Sequence, residues 1–169
     1  MLILGLDPGE TTGWVLYDSE GRRVIDCGSF ERWYCADMAN AMGRNKVEHV
    51  IIESVVPARG GIYPQTVEAA LIQGHLEEFI EGRLVNAPHR MTRGDIRKTL
   101  STAVHRDPVV VNDKTAWQAL AILHGPGSTQ RTTKKRGPGG CIGDVMAHER
   151  AALALVVAWA IANGHWEAK

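Results

Sequence analysis

Cysteine, aromatic residues and net charge are all scarce in this chain of 169 residues. Its three cysteines are an odd number without a CxxC pair, which argues against a disulfide framework and a zinc knuckle. The longest strongly apolar run, 151–162, has 12 residues, whereas a bilayer span needs about 20. The first residues carry no basic segment and reach Asp7 early, unlike a signal peptide. We therefore expect a soluble, cytoplasmic protein with reduced thiols.

The charge is balanced in total but unevenly distributed along the chain. The composition is 44% hydrophobic and 22% charged, typical of one globular domain, which we predict to span residues 1–169. No acidic residue lies between Asp113 and Asp144, and this stretch contains a basic run at 131–136. A second basic cluster lies at 89–106. Local basic patches of this kind can bind a polyanion even when the net charge is zero.

Apolar runs and turn residues predict an α/β fold, a mixed sheet with helices packed on it. Three early strands with short connections indicate an antiparallel meander. The segment 125–143 contains six glycines and two prolines, and loops of more than about 12 to 15 residues are usually functional or disordered. The predicted strands are 2–6, 13–17, 24–30, 47–52 and 84–85, and the predicted helices are 32–43, 65–81, 92–100 (with Thr92 as N-cap and Asp95 at N3), 113–124 and 144–162.

Two acidic residues, Asp7 and Glu53, each follow an apolar strand directly. If the first and fourth strands are parallel neighbours, both carboxylates emerge at one edge of the sheet, where α/β active sites lie. Two close carboxylates need a cation between them, or one of them takes up a proton. Mg²⁺ or Mn²⁺ suits such oxygen ligands. The alternative is that each acid only caps the turn that follows it.

Asp144 and His148 are four residues apart at the start of the last predicted helix and therefore share a face. An acid and a histidine in this arrangement are typical of a metal-ligand pair, or of a ligand with a general base. Alternatively, Asp144 is only the N-cap and His148 is a surface residue. Glu149 is expected to point further round the helix, toward solvent.

The segment D-P-G-E-T-T-G, from Asp7 to Gly13, brings backbone N–H groups close to another group. That group can be a phosphate, or the glycines can simply serve a tight hairpin.

Several segments resemble the RuvC-type Holliday-junction resolvases of the RNase H-like superfamily. The opening L-I-L-G-L-D-P-G-E-T-T-G-W-V-L is similar to the family's first strand and hairpin, and V-I-I-E, which ends at Glu53, is similar to its second acidic position. The closing G-D-V-M-A-H-E-R-A-A-L-A-L-V-V-A-W-A resembles its last helix. V-N-D-K-T-A-W-Q-A-L and the later basic loop are most similar to the bacteriophage branch. The resemblance spans nearly the whole chain, in order.

One position departs from the family pattern. Cellular members typically carry two acids three residues apart on the last helix, and some have a histidine in place of the first. Here Ala151 lies three residues after His148 and cannot bind a metal. If Asp144 is taken as the family acid, His148 becomes an added ligand or a base.

The resemblance implies an RNase H-like fold, with a five-stranded mixed sheet flanked by helices. It implies a homodimeric endonuclease that resolves four-way DNA junctions in recombination and repair, in a bacterial or phage-infected cell. Two Mg²⁺ ions (or Mn²⁺) per site would lie about 3.5 to 4 Å apart. Asp7 would bridge them, Glu53 and Asp144 would each bind one, and His148 would be ligand or base. The predicted helix 65–81 is a candidate dimer interface.

Basic side chains would then contact the DNA backbone, which provides affinity without sequence information. Both basic stretches can instead be solvated surface. Tyr63, Trp33 and Trp117 are candidates for stacking on exposed bases, although Trp117 has apolar neighbours that favour core packing. The predicted DNA-binding residues are Arg131, Lys134, Lys135, Arg136, Arg93, Arg97 and Lys98.

Three other functions remain open from the sequence. A broader RNase H-like nuclease would act on branched DNA or on RNA-containing structures. An actin-like ATPase shares the opening strand and phosphate turn but needs a second lobe, for which this chain has little room. A non-catalytic nucleic-acid-binding module would keep the basic patches without needing the acids.

Overall fold

A single mixed sheet lies at the centre of the computed structural model, which describes residues 1–31, 35–56, 63–83, 87–104, 113–124 and 147–166. Its strands are β1 (Leu2–Asp7), β2 (Thr11–Asp18), β3 (Arg23–Glu31), β4 (His49–Ser54) and β5 (His89–Thr92). The helices are α1 (Ala36–Arg44), α2 (Pro64–Glu81), α3 (Arg93–Val104), α4 (Asp113–His124) and α5 (Ala147–Ala162). None of the helices in these ranges is long and apolar enough to cross a membrane.

The strand order is β3-β2-β1-β4-β5. β1 pairs with β2 and β2 with β3 in antiparallel fashion, whereas β1 pairs with β4 and β4 with β5 in parallel. This confirms the predicted α/β class, the five-stranded mixed sheet, the meander and the parallel pairing of the first and fourth strands. That pairing brings the carboxyl ends of β1 and β4 to the same edge of the sheet.

Both faces of the sheet are covered by helices. Successive side chains of a strand point to opposite faces. Ile3 and Ile51 therefore belong to the apolar cluster formed with α3, α4 and α5, whereas Leu4 and Ile52 belong to the cluster formed with α1 and α2. The alternation of side chains along β1 and β4 thus determines which helices each side chain contacts.

Helix α5 lies directly on β1 and β2 because two glycines leave room for its backbone. A Cβ at Gly5 would lie 2.6 Å from the carbonyl oxygen of Ala152. A Cβ at Gly13 would fall on the backbone carbonyl of His148. The close approach predicted in the D-P-G-E-T-T-G segment is therefore made by Gly13 to the start of α5.

The N-terminus of α3 has the predicted capping arrangement. The backbone N–H of Asp95 donates to Thr92 Oγ1 at 3.2 Å, and the Thr92 hydroxyl donates to Asp95 Oδ2 at 2.6 Å. The helix continues to Val104, one turn beyond the predicted end at Leu100. The cap is made by residues 92 and 95 and leaves the side chain of Arg93 available for other contacts.

The fifth strand is β5, a polar segment that the sequence analysis missed. Its residues, His-Arg-Met-Thr, are exposed or half-buried at the sheet edge, so they lack the apolar pattern that identifies a strand. The predicted strand 84–85, the predicted start of the first helix at 32 and the basic loop 125–143 lie outside the described residues. Cys27 and Cys35 are half-buried, on β3 and just before α1.

Candidate active site

Asp7 and Glu53 lie side by side at the carboxyl edge of the sheet. Leu6 of β1 is the register partner of Ile52 in β4, so the residue after each is adjacent to the other. Glu53 lies two residues after Ile51, and Asp7 lies four residues after Ile3. Both isoleucines belong to the cluster formed with α3, α4 and α5, so both carboxylates project toward α3 and α5. Their residues are only 9% and 8% exposed. The predicted juxtaposition of the two carboxylates is therefore present.

The pKa of Asp7 is strongly perturbed by its surroundings. Burial, the negative charge of Glu53 and a hydrogen bond with Glu53 raise the pKa of Asp7, and the charge of Arg93 opposes them, so that the pKa is raised to about 7. A carboxyl group with this pKa retains a proton in part of the molecules at neutral pH. A pair of buried carboxyl groups of this kind suits a cation, which favours the ionised form of both.

Arg93, the first residue of α3, supplies one positive charge at this point. Its Nε donates to Glu53 Oε1 at 2.8 Å, and its Nη2 lies 3.3 Å from Glu53 Oε2 and 3.5 Å from Asp7 Oδ1. We predicted that Arg93 contacts the DNA backbone. In the structure its side chain contacts Asp7 and Glu53. The register of Glu53 with Met91, two residues before Arg93, accounts for this position.

Two open cavities meet at the carboxylates. One, of about 500 Å³, extends over α3, α4 and α5 and is bounded by Arg97, Trp117 and His148. The other, of about 520 Å³, extends toward the start of α2. Both are lined by Asp7, Pro8, Glu53 and Arg93. A polymer can therefore reach the acidic pair from either side of the sheet edge.

His148 is exposed in the first turn of α5 and lines the same cavity as the two carboxylates. Its backbone is held there by the contact with Gly13. The structure thus places three of the four predicted site residues around one cavity. The fourth, Asp144, lies outside the described residues.

Glu149 is buried at 6% exposure, so the expectation that it faces solvent is wrong. Residues 149, 152 and 156 share one face of α5, and this face packs on the sheet. The helical spacing to Ala152 and Val156 was the sequence signal that would have identified its burial. Among the described residues, Glu149 is the third buried acid after Asp7 and Glu53. It lies near the start of α5 and was not among the predicted site residues.

The other predicted nucleic-acid residues have different positions. Arg97 lines the cavity and Lys98 is exposed on α3. Trp117 lines the cavity and also packs against the core, with the Arg150 guanidinium 5.9 Å from its ring centre. Tyr63 is exposed immediately before α2. The residues outside the described ranges are Trp33, Arg131, Lys134, Lys135 and Arg136.

The donor set at the sheet edge fits a hard divalent cation. Carboxylate oxygens are the ligands that Mg²⁺ and Mn²⁺ prefer. Within the described ranges no three His, Cys, Asp or Glu side chains are grouped closely enough to hold a metal ion. Asp7 and Glu53 therefore provide two carboxylate ligands, and water, substrate phosphates, His148 or residues beyond these ranges can supply the others.

No protein-family model and no curated protein sequence matches the chain. Solved structures do match it. The RuvC structure from Thermus thermophilus is 17% identical in sequence, with a TM-score of 0.63 over 100% of this chain and 99% of that chain. T. thermophilus RuvC in complex with a Holliday junction substrate is 16% identical, with a TM-score of 0.62 over 100% of this chain and 98% of that chain. The chain therefore has the RNase H-like fold of RuvC, as its sequence resemblance implied.

Proposed function

We propose that this chain is a metal-dependent endonuclease that resolves four-way DNA junctions, with residues 1–169 as one nuclease domain. The observation that carries the proposal is the pair of buried carboxylates, Asp7 and Glu53, at the open carboxyl edge of a RuvC-like sheet. A binding module or a structural protein has no need to bury two repelling acids at the junction of two cavities. Burial of this kind is costly and is common at catalytic sites.

Asp7 and Glu53 would hold the metal, with Asp144 and His148 as the further predicted ligands. A divalent ion held by these residues would neutralise phosphate charge and make water a better nucleophile. His148 is close enough to the cavity to serve as a ligand or to accept the proton of the attacking water. The bond that breaks is the phosphodiester P–O bond, and water supplies the new oxygen.

The cavity walls suit a DNA strand. Arg97 lines the wall, Lys98 is exposed nearby on the same helix, and both can contact phosphates. Trp117 offers an aromatic ring at the cavity surface for an unpaired base. We also propose that the basic segment 131–136 contacts DNA. The complex of T. thermophilus RuvC with a Holliday junction substrate supports the choice of a branched substrate.

The test is a cleavage assay on a labelled four-way junction and on a linear duplex of matched sequence, each with Mg²⁺, with Mn²⁺ and with EDTA. Symmetric paired nicks that occur only on the junction and disappear in EDTA support a resolvase. Asp7→Asn and Glu53→Gln should bind the junction and fail to cut it. Glu31→Gln, an exposed carboxylate on the edge strand β3, is the matched control and should cut normally.

The other outcomes identify other functions. Equal cleavage of flaps, hybrids and duplex would replace the resolvase by a broader RNase H-like nuclease. Tight binding without cleavage in any metal would indicate a non-catalytic module, and ATP hydrolysis would indicate an actin-like enzyme. His148→Ala should slow cleavage by about 10²- to 10⁴-fold if His148 is the general base. An unchanged rate would remove His148 from the catalytic set.

A further inference from the structure

The guanidinium of Arg93 contacts both acidic side chains, as a cation bound by both of them would have to do. Its guanidinium lies within 3.5 Å of three of the four oxygens of the pair, Glu53 Oε1, Glu53 Oε2 and Asp7 Oδ1. The two carboxylate side chains are 11% and 12% exposed, so their attraction for a positive charge is weakly screened. A metal ion that binds both acids must therefore compete with this guanidinium.

The side chain of Arg93 can leave the pair without disturbing the helix that carries it. It is 50% exposed and borders both cavities. The start of α3 is capped by Thr92 and Asp95, so the cap does not depend on Arg93. A guanidinium that swings into either cavity remains in a wide, solvated space.

A phosphate in the cavity is a suitable second partner for the same guanidinium. The planar guanidinium binds phosphate oxygens in a bidentate fashion, as it binds a carboxylate. A nucleic-acid strand that crosses the sheet edge would carry its phosphates past Arg93. The strand would then attract the guanidinium away from the acids at the point where the metal is required.

We propose that Arg93 is a resident countercharge that competes with the divalent metal for Asp7 and Glu53 and moves to a backbone phosphate when nucleic acid binds. The inference rests on the proposed nuclease function, in that it assigns the metal and the nucleic acid to this site. Metal and nucleic acid then favour each other's binding, and by thermodynamic linkage each raises the other's affinity by the same factor. Without nucleic acid, Arg93 stays on the acids and offsets part of their charge, so they hold metal weakly.

The first experiment measures Mn²⁺ affinity by titration calorimetry on the full chain without nucleic acid. Arg93→Ala should bind Mn²⁺ about 10- to 100-fold more tightly than the wild type, the range for losing a competing charge-assisted hydrogen-bonded group. Arg90→Ala is the matched control: it removes the same charge from β5, but Arg90 pairs with Glu77 of α2 at 2.7 Å. Its Mn²⁺ affinity should equal that of the wild type.

The second experiment repeats the titration with a four-way junction that carries phosphorothioate linkages, which keep the backbone charge and resist hydrolysis. The wild-type affinity for Mn²⁺ should rise toward that of Arg93→Ala, and the variant should gain less. Equal gains in the two proteins would overturn the coupling. If Arg93→Ala does not fold, as judged by its circular dichroism, Arg93→Lys replaces it and should show a smaller increase in affinity, because lysine lacks the bidentate geometry.

Two different results separate the competition by Arg93 from the metal site of the proposed nuclease. If Mn²⁺ binds the wild type, binding is lost in Asp7→Asn, and Arg93→Ala has unchanged affinity, the competition is overturned while the metal site stands. If no protein binds Mn²⁺ with or without the junction, the metal site itself is wrong, and with it both proposals.

Discussion

At the scale of single residues, the main feature is the carboxyl group of Asp7, which the fold makes harder to ionise. The pKa of Asp7 is raised to about 7, first by burial and then by the charge of Glu53. Such a site can bind a cation, but the fold is less stable when no cation is bound. This trade-off is common at functional sites. The same perturbation makes metal binding pH-dependent, because the ligand must lose its proton.

We expect Asp7→Asn to be more stable than the wild type in EDTA at pH 8. The folded-state pKa of about 7 exceeds the ordinary value of 3.8, so the folded state binds more protons, and the wild type loses stability as pH rises through this interval. Asparagine is neutral and avoids this loss. The gain should be about 0.5 to 2 kcal/mol, or ~2–4 °C in Tm for each kcal/mol. It should fall toward zero as the pH is lowered to about 4.

Asp18→Asn is the control of opposite sign for this thermal unfolding series. Backbone N–H groups of Gly21 and Glu20, the terminal ammonium and Arg23 hold the pKa of Asp18 below its ordinary value. Its ionised form therefore stabilises the fold at neutral pH, and this stability is lost as pH falls through the folded-state pKa. Asp18→Asn should lower the Tm at pH 8. A fall in Tm for Asp7→Asn as well would contradict our account of the acidic pair.

At the scale of elements, the position of α5 on the sheet decides where His148 lies. Apart from Glu149, the face of the helix that meets β1 and β2 is apolar, and the two glycines Gly5 and Gly13 admit its backbone. Gly13 faces Asp7 across the β1–β2 ladder and touches the backbone of His148. One glycine therefore sets the distance between a carboxylate and the histidine of the candidate site.

We expect Gly13→Ala to destabilise the fold and to displace the start of α5, because the new methyl group would overlap backbone atoms that cannot rotate away. Overpacking of this kind costs about 1 to 3 kcal/mol or more in unfolding free energy. Gly74→Ala is the matched control, since a Cβ there meets nothing within 4 Å. In the interior of α2 it should stabilise by about 0.5 to 1 kcal/mol. Urea unfolding of both variants measures the two effects, and equal effects would exclude the tight contact.

At the scale of the whole molecule, α2 has apolar residues on two sides. One side packs into the core through Ile72, Leu76 and Ile80. On the other, Tyr63 just before the helix, Val67 and Leu71 are 54%, 47% and 58% exposed at intervals of four residues. We propose this exposed stripe as the interface of the predicted homodimer. A two-fold dimer would match the near two-fold symmetry of a four-way junction.

If the stripe is the dimer interface, Leu71→Glu should give a monomer in sedimentation velocity and should nick junctions singly. A charge placed in an apolar interface cannot be hydrated there and has no partner, so association is lost. Ile122→Glu is the matched control, because Ile122 is equally exposed, at 61%, but lies on α4. It should retain the dimer and the paired nicks. A dimeric Leu71→Glu would move the interface elsewhere.

The local sequence was sufficient to predict the strands β1 to β4, the helix α2, the cap at Thr92 and the two acids at the carboxyl ends of β1 and β4. These features depend on neighbouring residues: apolar periodicity, turn residues and the side chain that comes next after a buried strand. The sequence resemblance supplied the fold, which the similarity to RuvC structures confirms. Helical spacing grouped His148 with Asp144, the resemblance implied that it belongs with Asp7 and Glu53, and the structure brings it to their cavity.

Only the tertiary structure revealed the contact of Arg93 with the acids, the polar edge strand β5 and the raised pKa of Asp7. Arg93 is 40 residues from Glu53 and 86 from Asp7, and no local pattern encodes a contact over such distances. The sense in which a helix is rotated against a sheet, and the depth at which a carboxylate is buried, follow from the packing of distant segments. Local sequence determines which faces are apolar, whereas charge neutralisation and burial are decided when those faces meet.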